Sequence, residues 1–330
     1  MENMPPLVSI IVPVYNVADF VETALTSVLT QTHQNWECIV IDDGSTDGSG
    51  DRALRVVERD ARMRMVRQEN RGLSAARNTG LRAMSSDSSY VAFLDSDDTW
   101  TPDALEVLVR ALREDETAAG SYGLAENIDA LGNPLLPGQH AAAQRDRRRV
   151  SGRRLQPVTA TEPLTFAEAV VVSPLYPPAV GLHRRSVVDA VGFFDERLAQ
   201  LEDWDYYLRA MRHGHYVALD VLVAHYRKHG AQMTRRTVEH VVALDQVRRK
   251  TWESTENSEE QRRNATVAWR QLQARRTFRS LQRTLGSLRQ RDFPRFARLS
   301  AATAVLTAQN VLPGPPTSSP TIVRWSERKL

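Results

Sequence analysis

Through the first 115 positions, short apolar runs alternate with stretches in which apolar residues recur at helical spacing. Val8–Val14 (VSIIVPV) is a near-continuous β-branched run, the pattern of a strand covered on both faces. From Val17 to Gln31, residues Phe20, Val21, Ala24, Leu25 and Val28 line one helix face. The same reading predicts a second buried strand over Cys38–Ile41, a helix over Asp47–Arg59 and a short third strand over Arg64–Arg67. Ser74 is expected to cap a helix reaching Met84, and Tyr90–Leu94 reads as a fourth strand. Pro102 opens the next helix, where its missing N–H costs nothing. Such alternation implies parallel strands joined by right-handed crossovers, with ligands bound beyond the strands' carboxyl ends.

The second half is less regular. Residues 135–165 break the pattern with Pro, Gly and six arginines (Arg145, Arg147, Arg148, Arg149, Arg153 and Arg154), and read as a mobile loop or insertion. Leu182–Val191 predicts a short helix stopped by Gly192. Further helices are expected over Glu202–Met211, Val238–Trp252 and Asn264–Leu288, while Pro313–Pro320 has a disordered composition.

Composition adds limits rather than direction. Forty-three basic against forty acidic residues leave a formal charge of +3, and the hydrophobic share of 42% is ordinary for a soluble protein. The lone cysteine, Cys38, lies in an apolar run and reads as a buried small hydrophobe. With no leader-like segment and no apolar run of bilayer length, a cytoplasmic location, soluble or peripherally attached, is the expectation.

Chemistry concentrates where strands end. Asp95-Ser96-Asp97-Asp98 follows a strand, and two carboxylates one residue apart can hold a hard divalent cation while phosphate oxygens complete its shell. Taken alone, such a cluster is more often a helix cap in a solvated loop. Asp42-Asp43-Gly44-Ser45-Thr46-Asp47 offers carboxylates for a base or ribose, or simply turn and cap chemistry. Glu202-Asp203-Trp204-Asp205 fits either a helix first turn favoured by the dipole or a general base at a rigid edge. His225-Tyr226-Arg227-Lys228-His229 sets two imidazoles beside two cations, so either histidine can be a metal ligand or a structural group. No glycine cradle or P-loop lysine is present, which leaves a metal as the natural way to neutralise phosphates.

Taken in order, these segments resemble glycosyltransferase family 2. The resemblance runs from Pro6 to Met233 through VSIIVPVYN at Val8, SVLTQT at Ser27, IDDGSTD at Ile41 and NRGLSAARN at Asn70. FLDSDD at Phe93, GFFDE at Gly192, EDWDYYLR at Glu202 and YRKH at Tyr226 complete the series. It implies an α/β fold of the GT-A type: a Rossmann-like, mostly parallel central sheet flanked by helices, here with a helical C-terminal appendage. The implied division is a catalytic domain over 1–235, with a nucleotide-sugar half to 115 and an acceptor half over 116–235. An Arg-rich helical region over 236–312 and a disordered tail over 313–330 would follow.

The implied activity is inverting transfer of a hexosyl or N-acetylhexosaminyl unit from a nucleotide-diphosphate sugar to a hydroxyl, in glycan, polysaccharide or glycolipid synthesis. UDP is the expected carrier and Mn²⁺ or Mg²⁺ the expected cofactor. By position, Pro13, Tyr15, Asp43, Asn70, Arg77 and Asp95 match nucleotide-sugar contacts. Asp97 and His229 match metal ligands, Asp203 the catalytic base and Glu202 a residue near the acceptor. The competing readings are an inactive nucleotide-sugar or glycan-binding module, which would lack Asp97 or Asp203, and a sugar nucleotidyltransferase, which would carry a glycine-rich N-terminal loop. Arg262–Arg298, with Asp292 its sole acidic residue, suits either an apolar stripe packed on the catalytic domain or a basic helix resting on anionic lipid beside a lipid-linked acceptor. Nucleic acid is not an expected partner, because no module of stacking aromatics accompanies the charge.

Overall fold

The computed structural model describes residues 5–172, 175–230, 237–271 and 300. Ten strands are present among them: β1 (Val8–Val14), β2 (Trp36–Asp42), β3 (Met63–Arg67), β4 (Tyr90–Phe93), β5 (Thr99–Trp100), β6 (Gly120–Ile128), β7 (Arg147–Ser151), β8 (Arg154–Val158), β9 (Gly181–Arg184) and β10 (Tyr216–Arg227). The helices are α1 (Val21–Leu29), α2 (Ser49–Val57), α3 (Leu73–Ala83), α4 (Ala104–Glu114), α5 (Gln139–Arg145), α6 (Phe166–Ala169), α7 (Arg185–Val191), α8 (Glu202–Ala210) and α9 (Thr237–Glu253).

Eight strands form one sheet in the order β3-β2-β1-β4-β9-β6-β10-β5. The first four run parallel, β9 runs antiparallel to both β4 and β6, β10 is parallel to β6, and β5 pairs antiparallel with β10. All seven residues of β1 and of β2 are buried, as their unbroken apolar runs require. Cys38 is among them. Helix α3 crosses β1 so closely that Gly80 rests on the Ile11 side chain. The chain leaves β1 outward to β2 and β3, then returns to β4 on the other flank of β1. That reversal makes the gap between the ends of β1 and β4 the switch point where a ligand crevice opens.

Several expectations need correction. Residues 135–165 are not an open loop: they hold α5 and the β7–β8 hairpin, pinned by the buried ion pair of Arg147 with Glu168. Ser74 does not cap α3. It lies inside the helix, and the N-cap is Gly72 at φ 88°. Leu182–Val191 is not one helix, because Gly181–Arg184 is a central strand and only Arg185–Val191 is helical, ending at Gly192 with φ 74°.

Helix α9 and a second helix over 259–271 bury Val247, Ala265 and Ala268 in the same core as the sheet. Of the stripe expected over Arg262–Arg298, Val267 falls among the described residues and packs partly buried against that core. The boundary at 235/236, the rest of the Arg-rich stretch and the tail fall outside the described residues.

Candidate active site

The loops after β1 and β2 are stitched together at the crevice. Asn16 Oδ1 accepts from Thr46 N (2.9 Å), Asp47 Oδ2 from Ala18 N (3.0 Å) and Ser49 Oγ from Val17 N (2.7 Å). Pro13, buried in β1, lies past the last β4 partner, where Leu94 N donates to Ile11 O. Its missing N–H therefore costs no ladder bond. Tyr15 follows at the rim, 48% exposed.

Asp43 is buried and clasps the 68–72 loop. Its Oδ1 accepts from Gln68 Nε2 (2.7 Å) and Arg71 N (2.9 Å), and its Oδ2 from Gly72 N (2.8 Å). A carboxylate oxygen can accept two hydrogen bonds, so Oδ2 retains capacity for a ligand. Gly44, at φ 75°, lets the same loop approach: a Cβ there would sit 2.9 Å from Asn70 N. Asn70 itself is exposed on this loop.

Arg77 joins the two halves. It is 1% exposed, and donates from Nη2 to Asp95 Oδ1 and from Nη1 to Glu202 Oε1, each at 2.6 Å. One guanidinium thus ties the end of β4 to the first turn of α8. Burial raises the Asp95 pKa, Arg77 opposes that rise and Asp97 adds to it. Asp203, next to Glu202, accepts from Trp204 N (2.7 Å). Burial and the Glu202 charge push its pKa up to about 7, against the pull of Arg77. Asp95 contributes to that rise as well, so the two acidic clusters share one electrostatic environment.

On the opposite side of Asp95, Asp97 Oδ2 lies 2.9 Å from His229 Nε2, and the His229 ring leans on Phe20 at 4.6 Å. His225 is placed elsewhere, with Nδ1 3.5 Å from Thr99 Oγ1 across the β10–β5 pair. Of the two histidines, only His229 meets the acidic cluster. Asp98 is fully buried, accepts from Arg227 N (2.9 Å), and is pushed well above the carboxylate range by burial and by Asp97.

Residues 9–153 match the family model Glycosyl transferase family 2. Over 117 residues the chain is 46% identical to glycosyltransferase GlyA of Streptococcus pneumoniae, covering 35% of this chain and 16% of that protein. Over 124 residues it is 44% identical to the putative teichuronic acid biosynthesis glycosyltransferase TuaG of Bacillus subtilis, covering 37% and 48%. The 9–153 segment, less than half of this chain, is what is similar to family 2 glycosyltransferases. The chain spans less than half the length of these curated relatives. The fold matches a solved mannosyltransferase, PcManGT from Pyrobaculum calidifontis in complex with GDP-Man and Mn²⁺, with a TM-score of 0.60 at 18% identity. That match covers 99% of this chain and 80% of the other, and it shows the GT-A architecture alone.

Asp97 and His229, hydrogen-bonded to each other, are the two residues here that would hold a divalent ion. Adjacent ligands on an octahedral ion with bonds of about 2.1 Å are about 3 Å apart, which the Asp97–His229 separation matches. Among the described residues no group of three or more His, Cys, Asp or Glu gathers at one point. The protein would then supply two ligands, leaving diphosphate oxygens and water for the rest, the habit of Mg²⁺-type ions.

Two supporting groups escaped assignment from the sequence. Asn78 donates to Phe194 O (3.0 Å) and to Glu196 Oε1 (3.0 Å) and accepts from Phe194 N (2.8 Å), fastening the segment that leads into α8 onto α3. Arg227 donates to Asp97 O (2.8 Å) and holds the acidic turn against β10. Both lie in matched segments, Asn78 in NRGLSAARN and Arg227 in YRKH, but spacing gives no sign of what they touch.

Proposed function

We propose that this chain transfers a sugar from a nucleotide-diphosphate donor, with UDP as carrier, onto an acceptor hydroxyl with inversion at the anomeric carbon. The observation that supports it most is the Arg77 bridge, which sets Glu202 and Asp203 beside Asp95. In this reading Asp203 takes the proton from the acceptor hydroxyl as that oxygen attacks the anomeric carbon from the face opposite the diphosphate. A carboxylate near pKa 7 suits that task at neutral pH. Glu202 lines the acceptor side. Pro13, Tyr15, Asp43, Asn70, Arg77 and Asp95 hold the nucleotide sugar, Asp43 through the base and Asp95 near ribose and sugar. A divalent ion on Asp97 and His229 would neutralise charge gathering on the departing diphosphate.

The name of TuaG and the Mn²⁺ bound to PcManGT agree with a metal-assisted transferase of polysaccharide synthesis. A nucleotidyltransferase would need a glycine-rich loop where Val12-Pro13-Val14-Tyr15-Asn16 stands. The test is incubation of the full chain with a panel of nucleotide sugars and Mn²⁺, without acceptor. Slow metal-dependent release of nucleoside diphosphate from a matched donor is expected. Release of pyrophosphate, or no release from any donor, would contradict the proposal.

A further inference from the structure

The turn that leads into α8 is strained. Leu201, the residue ahead of Glu202 and Asp203, is left-handed at φ 60° and ψ 24°, a conformation disfavoured for a residue with a Cβ. Its carbonyl nevertheless accepts from Asp205 N (3.1 Å) and so starts the helix. Such strain persists only where the surroundings hold it, and here they include one side chain of the C-terminal region. Lys250 of α9 donates to Asp195 Oδ2 and to Asp205 Oδ2, each at 2.8 Å. Asp195 precedes Leu201 and Asp205 follows it, so a single ammonium joins the two ends of the turn.

Charge balance does not require this link. Asp195 is already paired with Arg197, whose Nε and Nη2 donate to its two oxygens at 2.8 Å each, and Asp205 accepts from Arg209 Nε at 3.0 Å. What Lys250 adds is the connection between the two carboxylates. Helix α9 can bear on them because it is itself seated. Val247 is fully buried, and the Arg248 guanidinium carbon lies 5.5 Å from the centre of the Trp204 ring. Just past α9, Glu256 accepts from Arg212 Nη1 (2.6 Å) and Asn257 from Arg212 Nε (3.1 Å). Trp204 adjoins Asp203 and is pinned by its own Nε1, which donates to Ala169 O (2.7 Å). Asp205 stands roughly 200° round the helix from Asp203, so Lys250 bears on the helix rather than on the proposed base. The same first turn is held from the crevice side by Arg77 through Glu202.

We propose that Lys250 is a positioning residue: by joining Asp195 to Asp205 across the strained turn at Leu201, it fixes where α8 presents Asp203. The assignment rests on the transferase reading above, and it makes α9 part of the catalytic arrangement rather than an appendage to it. Without the link the turn can relax, and Asp203 moves relative to the donor-side groups at Asp43, Asp95 and Asp97. Misplacing a reacting group by about 1 Å costs up to about 10²-fold in rate.

Donor hydrolysis by the full chain tests it, with Mn²⁺ and UDP-glucose, UDP-N-acetylglucosamine or GDP-mannose, whichever is cleaved fastest. Water is then the acceptor: its oxygen bonds to the anomeric carbon, the bond to the diphosphate breaks, and Asp203 takes the proton. Lys250→Met is expected to lower kcat about tenfold or more, while calorimetry shows the donor bound with parental affinity and stoichiometry. Lys250→Arg, whose fork can still reach both carboxylates, is expected to keep most of the turnover. In an Asp203→Asn background, Lys250→Met is expected to leave the residual rate within about twofold, because no base remains to be positioned. Parental turnover in Lys250→Met overturns the proposal. So does an equal fold loss in both backgrounds, or loss of donor binding together with turnover, since either would mean that Lys250 supports the fold in general. If the parent hydrolyses a donor and Lys250→Met does the same, the positioning role fails and the transferase stands. If the parent neither binds nor cleaves any of the three donors, the transferase reading fails by itself.

Discussion

Between Val8 and Phe93 the chain lays down four parallel strands, each followed by a polar turn, moving outward from β1 to β3 and then back to β4 on the other flank. Beyond Thr99 that simple parallel pattern ends. Strand β9 is inserted antiparallel between β4 and β6, β10 returns beside β6 with irregular register, and β5 turns back at the edge. The first half is thus a parallel layer whose strand order creates the crevice. The second half is fastened to it by side chains: Arg77 to Glu202, Asn78 to Phe194 and Glu196, and Arg227 to Asp97. The comparison teaches that strand order opens the crevice, whereas both proposed ends of the site, at Asp97 and at Asp203, depend on a few buried polar contacts between the halves.

The largest effect that would sharpen this contrast is on turnover. Asp203→Asn is expected to cut transfer by roughly 10²–10⁴-fold, the loss of a general base. Steady-state rates with a matched donor and acceptor give the answer, and near-normal rates would remove Asp203 from that role.

Next comes Arg77→Met, which leaves Asp95 and Glu202 facing each other without their shared cation. Denaturant unfolding should show a loss of about 3–5 kcal/mol, as for a buried pair robbed of one partner. A variant as stable as the parent would mean that the halves hold together without the bridge.

A smaller cost is expected from Gly80→Ala in the first half, where the added Cβ meets Ile11 inside a packed layer. Thermal and chemical unfolding should register about 1–3 kcal/mol. Finally, Asp203 gives a pH signature. Its folded pKa, about 7, lies above the unfolded value of about 3.9, so the folded state binds more protons between those values. Stability attributable to this group therefore falls as pH rises from about 4 to about 7, and Asp203→Asn should flatten that fall. Melting temperatures of both proteins across this range provide the check. Identical pH profiles would place the Asp203 pKa in the ordinary range.

The contrast between halves also explains what could be read in the sequence. Strands β1, β2 and β4 announce themselves as apolar runs because both faces are covered. Strand β6 (GSYGLAENI) does not, since its glycines answer to neighbours rather than to pattern. A Cβ at Gly120 would collide with Tyr216 and one at Gly123 with Val221 and Val223, so the close approach of β10 dictates them. Strand β9 is four residues long and runs into α7 without a turn signal, which makes the two read as one helix. The clusters at Asp42 and Asp95 were visible as chemistry from composition and position. That Arg77 would join Asp95 to Glu202 was not, because a contact spanning 125 residues leaves no local periodicity.

The most direct test of the central claim, that Asp97 and Asp203 serve one cleft in different roles, is calorimetric titration of a matched nucleotide sugar with and without Mn²⁺. It would compare the parent, Asp97→Ala and Asp203→Asn. The account predicts Mn²⁺-dependent binding that is strongly weakened in Asp97→Ala and nearly intact in Asp203→Asn. Unchanged binding in Asp97→Ala, or equal loss in both variants, would contradict it.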